Sequence, residues 1–153
     1  MRVVTLILAA GLVTGCIRTS TDPVTGRVDV DVESPTKQGE EWKAAIAGTT
    51  IPSITGSATA RVYAGETEVT VSLTGVPTGE LRPWHIHEGT CGSGGPIVGS
   101  PTAYPPLTVG EDGKATGSAR ISLQLDEAKS YHVNVHASAA QMATIIACGA
   151  LDD

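Results

Sequence analysis

From Glu68 to Leu73 polar and apolar residues alternate with a period of two, as in a β-strand that buries one face and wets the other. Short apolar runs bounded by turn residues recur along the chain: Trp42 to Ile46, Ser57 to Tyr63, Leu81 to Glu88, Leu107 to Val109, Ala115 to Leu123, Tyr131 to His136 and Ala143 to Leu151. Between them lie the turn signals Ala64-Gly65-Glu66, Gly75-Val76-Pro77-Thr78-Gly79 and Glu111-Asp112-Gly113, and a long Gly/Pro-rich loop from Gly89 to Pro106. No helix of consequence is required. With 18 glycines and no phenylalanine in 153 residues, the pattern predicts an all-β sandwich or barrel.

The first residues follow a different logic. Arg2 supplies a positive end, Val3 to Val13 an apolar run too short to span a bilayer, and Val13-Thr14-Gly15-Cys16 a small-residue cleavage site ending in cysteine. Residues 1–15 resemble a bacterial lipoprotein signal, which makes Cys16 the lipid-bearing first residue of the mature chain. An ordinary secretory peptide with an incidental cysteine is the alternative. Residues 16–40 are rich in Thr, Asp, Pro, Ser and Gly and read as a flexible tether, with a short β-like patch at Arg27 to Val32. Residues 41–153 read as the domain. The expected location is extracytoplasmic and membrane-anchored, in a periplasm or on a cell surface.

In that oxidising setting Cys91 and Cys148 remain as an even pair, and a disulfide is the default; a free-thiol metal site is the alternative. The net charge of −6 argues against nucleic acid as a partner. It would also repel a small anion unless local positive groups compensate.

All four histidines fall in two strand-like runs, Trp84-His85-Ile86-His87-Glu88 and Tyr131-His132-Val133-Asn134-Val135-His136. On a strand His85 and His87 project to one face while Trp84 and Ile86 point to the other, into the core. Two imidazoles at that spacing make half of a metal site, and His136 on a neighbouring strand could add a third ligand. Exposed strand histidines are also common. His132 lies roughly 13 Å from His136 along a regular strand, so it reads as a surface or loop-end residue, with a place in the site as the alternative.

At this point the residues match a known pattern. Val69-Thr70-Val71-Ser72-Leu73-Thr74-Gly75, Gly79, the His85–His87 run, Cys91-Gly92-Ser93-Gly94-Gly95-Pro96, Glu111-Asp112-Gly113, the strand ending at His136, and Ala147-Cys148-Gly149 together resemble the copper/zinc superoxide dismutase family. The resemblance runs from about Trp42 to Leu151. It implies an eight-stranded Greek-key β-barrel, with His85, His87 and His136 on three copper-ligand positions and Cys91–Cys148 on the intrasubunit disulfide. Two departures follow. Ile97 stands where the family has the histidine that bridges copper and zinc, and the shortened stretch from Val98 to Pro106 carries neither His nor Asp. Ile145 stands where the family has the arginine that attracts superoxide.

Copper is therefore the expected metal and zinc is not. Three imidazoles suit both copper oxidation states, but Cu(II) prefers a fourth ligand, which water could supply. Without the bridging histidine and the arginine, superoxide dismutation is expected to be slow or absent. Met142 offers a thioether beside the site that would favour Cu(I), although a gap-filling core methionine is the plainer reading. Arg82 is the nearest cation in sequence and Glu88 could orient an imidazole, but both read more plainly as solvated residues. No Gly-x-Ser-x-Gly elbow is present. Three classes of function remain: a membrane-tethered copper-only dismutase, a non-enzymatic copper buffer or carrier, and a metal-free interaction module. Oligomeric state is not legible.

Overall fold

A computed structural model describes residues 17–21, 28–32 and 40–153. The signal segment and Cys16 lie outside the described residues. The chain divides into two units, the first ending at Lys37 and the second spanning Gln38–Asp153. In the first unit β1 (Ile17–Thr21) pairs antiparallel with β2 (Val28–Val32), so part of the stretch read as tether carries paired strands.

The second unit is all-β. Its strands are β3 (Glu40–Gly48), β4 (Thr55–Tyr63), β5 (Glu66–Thr74), β6 (Trp84–Glu88), β7 (Ala115–Ile121), β8 (Tyr131–His136) and β9 (Ile145–Leu151). They form one antiparallel sheet of seven in the order β6-β8-β9-β3-β4-β5-β7. The expected strand at Leu107–Val109 is reduced to one bridge, Arg82 with Leu107. A single 3-10 turn, Pro101–Ala103, is the one helical piece among the described residues of this unit.

The sheet curls, and one contact makes this plain. β6 and β7 stand at opposite ends of the strand order, yet a Cβ added at Gly117 of β7 would lie 3.6 Å from Trp84 Nε1 of β6. That same Cβ would meet Leu107 Cδ2 at 2.5 Å, so Leu107 fills the space where the two ends approach. Glycine at 117 leaves that space to Leu107. The inner faces of β3, β4 and β5 supply Trp42, Ile46, Ala60, Val69, Val71 and Leu73 at alternating positions, all buried. Trp84, Ile86, Val133 and Val135 complete this core from β6 and β8.

β6 and β8 differ from the other strands because nearly all their residues are buried, whichever face they are on. The loop after β6 causes this. Its residues 96–98 run along the free edge of β6, with Glu88 N–H donating to Pro96 O at 3.0 Å and Val98 N–H to Ile86 O at 2.9 Å. The disulfide Cys91–Cys148, with a Cα–Cα distance of 6.0 Å, ties the same loop to β9. The histidine-bearing face is therefore closed off by tertiary structure.

Candidate metal centre

The register of β6 on β8 fixes the layout of the site. His85 faces Asn134 and His87 faces His132, while His136 lies one step further along and donates its backbone N–H to Pro83 O at 2.8 Å. In a flat pair His136 and His87 would be two rows apart, yet their ring centroids are 5.9 Å apart. A register irregularity between Val135 and His136 accompanies this approach, and such bulges re-aim the side chains beside them. The ring of His85 lies 5.2 Å from that of His136 and 5.9 Å from that of His87.

One ligand atom from each of His85, His87 and His136 lies within 4.8 Å of the other two, and all three residues are buried. Backbone carbonyls orient two of the rings. His87 Nδ1–H donates to Gly95 O at 2.8 Å, and His136 Nδ1–H to Met142 O at 2.6 Å. Each ring therefore turns a bare Nε2 lone pair inward. Carbonyl partners of this kind fix tautomer and orientation in histidine metal sites. His85 Nδ1 is 3.2 Å from His136 Nε2, so without a metal it is His85 that donates there.

The fit to a cation rests on His87. Its Nε2 is buried and has no hydrogen-bond partner. Leaving such an acceptor unsatisfied costs about 1–3 kcal/mol, which a bound cation would offset. Charge agrees with this. Burial first, then the neighbouring His136 and His87, pushes His85 from its ordinary 6.5 down to about 4. His136 and His132 are also lowered, in both cases mainly by burial. Neutral imidazoles are the form a metal takes. These three histidines can hold a metal ion.

Other expected residues fall elsewhere. His132 is not a surface residue: it is fully buried and stacks on His87, with centroids 5.5 Å apart and planes 24° apart. The distance along β8 suggested a remote position, but the cross-strand partner brings it in. It lies outside the three-ring group. Met142 is not a core filler, being 37% exposed, and its contribution to the site is its carbonyl. Arg82 is buried: its guanidinium donates to Pro77 O at 2.8 Å and to Ala137 O, and it meets Glu80 at 3.4 Å. That makes it a clamp on the residue after His136. Glu88 pairs with Lys129 at 3.1 Å on the surface and orients no ring.

Ile97 forms an isolated bridge with His87, and Ile145 is the strand partner of His136, so both apolar residues adjoin the site. Tyr104 went unnoticed in the sequence. It follows the 3-10 turn, donates its hydroxyl to Val98 O at 2.7 Å, and sets its ring edge-on to His85 at 5.2 Å. Burial raises its phenol well above the usual range. A tyrosine in a Pro-rich loop carries no periodic signal.

Comparison with protein-family models finds no match for the chain, and comparison with curated proteins finds none either.

Proposed function

We propose that this chain is an exported, lipid-anchored copper-binding protein on a scaffold of the copper/zinc superoxide dismutase type. On this reading His85, His87 and His136 hold copper, Cys91–Cys148 is the family's disulfide, and Cys16 carries the lipid. The scaffold is an eight-stranded Greek-key barrel whose eighth strand has shrunk to the Leu107 bridge. Closure of the two sheet ends around Leu107 supports that reading.

The observation that carries the proposal is the convergence of three buried ring nitrogens, one of them without any partner. Imidazole donors suit copper in either oxidation state, whereas magnesium and calcium prefer oxygen. Bound copper would supply one-electron chemistry at this point. The chain's own part is to present three buried rings, fix two of them through the Gly95 and Met142 carbonyls, and keep bulk water away.

Rapid superoxide dismutation is disfavoured by the same surroundings. Ile97 and Ile145 are apolar where steering and proton supply would be needed, and the Arg82 guanidinium is already engaged by two carbonyls. The overall charge of −6 works against anion approach. Copper buffering or carriage therefore ranks beside slow copper-only dismutation. Copper titration of the full chain, followed by superoxide decay at several salt concentrations, tests this. Tight copper with no activity selects carriage, and activity with little salt dependence selects an unsteered dismutase. Absence of copper binding would refute both and leave an interaction module.

A further inference from the structure

Two of the three rings have a backbone carbonyl on Nδ1, and His85 has none. Its ring makes one hydrogen bond to another residue, and that is to His136 Nε2 at 3.2 Å. His136 commits its Nδ1 proton to Met142 O, so Nε2 carries the lone pair it would give to a metal. A filled centre therefore takes away the one polar contact that orients His85. Something other than a hydrogen bond has to keep that ring in place.

Tyr104 is in position to do so. Its ring centroid lies 5.2 Å from that of His85, with the planes at 77°. Aromatic pairs prefer this T-shaped geometry to a face-to-face one, so the contact favours one setting of the imidazole. Tyr104 is buried and is itself tied to β6, the strand that carries His85. Its hydroxyl donates to Val98 O at 2.7 Å, and Val98 N–H donates to Ile86 O at 2.9 Å. Its ring also meets that of Trp84 at 5.3 Å and 85°, and Trp84 Nε1–H donates to Pro105 O at 2.9 Å. Tyr104 is thus indexed to the residues on either side of His85.

Resting on the copper reading above, we propose that Tyr104 is a positioning residue of the centre. Its ring holds the His85 imidazole toward the metal, as the Gly95 and Met142 carbonyls hold the other two rings. The ring carries this role, and the hydroxyl anchors the loop.

Two substitutions, compared by electron paramagnetic resonance of the Cu(II)-loaded full chain, separate ring from hydroxyl. Tyr104→Phe keeps the ring and is expected to retain the parent spectrum and copper affinity. Its urea midpoint is expected to drop, because Val98 O loses a donor. Tyr104→Leu removes the ring, and copper affinity is expected to fall roughly tenfold, with an altered imidazole splitting. Parent spectrum and affinity in Tyr104→Leu, or Tyr104→Phe as impaired as Tyr104→Leu, would overturn the inference. A second measurement needs no variant and uses the parent chain loaded with diamagnetic Cu(I). Nuclear Overhauser contacts between the Tyr104 and His85 ring protons are expected with and without Cu(I). Their loss on Cu(I) loading would overturn this inference and leave the metal reading standing. A parent chain that takes up no copper would overturn both.

Discussion

His87 and His132 face each other across β6 and β8, and each gives its Nδ1 proton to a glycine carbonyl of the same loop, Gly95 for one and Gly89 for the other. Loop conformation and ring orientation are thereby one property. Gly95 has no room for a side chain, since a Cβ there would sit 1.7 Å from Glu88 O. Gly89 adopts a φ of +99°, which disfavours any other residue.

Gly95→Ala should therefore damage the metal centre without touching a ligand. The loop must shift off Glu88, the carbonyl leaves His87, and copper affinity should fall about tenfold to a hundredfold, the usual range for losing an orienting partner. Competition with a calibrated chelator measures this. Unchanged affinity would mean that the carbonyl does not set the ring.

Reduction of Cys91–Cys148 should act through the same loop. The bond closes a separation of 57 residues, so its loss should cost about 4 kcal/mol on the chain-entropy account. Urea unfolding with and without reductant gives the stability change. Copper affinity should fall alongside it, because the carbonyls of Gly89 and Gly95 flank Cys91 in sequence.

Stability of the metal-free chain should depend on pH in a definite direction. His85 is lowered to about 4 in the folded chain against 6.5 ordinarily, and His132 and His136 are lowered too. The unfolded chain then binds more protons, so this stabilisation is full above about pH 6.5 and is lost as pH falls toward 4. Urea midpoints at pH 7 and pH 5 check it, the lower value being expected at pH 5. Copper should leave over the same interval, as protons compete for the ring nitrogens.

Arg82→Lys should not behave as a conservative change. One guanidinium reaches both Pro77 O and Ala137 O, whereas a lysine ammonium lacks that planar fork. A loss of about 3 kcal/mol is expected, since a buried charge loses geometry and a buried carbonyl loses its donor. The exposed Glu80 partner adds little. Thermal unfolding reports the loss, and a variant as stable as the parent would contradict the clamp.

The strands were largely readable because alternation along β5 and the turn glycines are local signals. The Leu107–Val109 run looked like the others, yet Leu107 fills the gap between the sheet ends and makes one bridge, which only the curled sheet reveals. His85, His87 and His136 could be named from spacing and resemblance. Their depth could not, because the loop carrying Cys91 buries a face that alternation alone would leave wet. His132 was misplaced for the same reason: distance along a strand says nothing about a cross-strand neighbour.

Electron paramagnetic resonance during Cu(II) titration of the full chain tests the central claim most directly. One Cu(II) per chain with imidazole-nitrogen splitting is expected, abolished by His87→Phe and by His136→Phe. Copper signals that survive both substitutions, or no stoichiometric uptake by the parent chain, would contradict it.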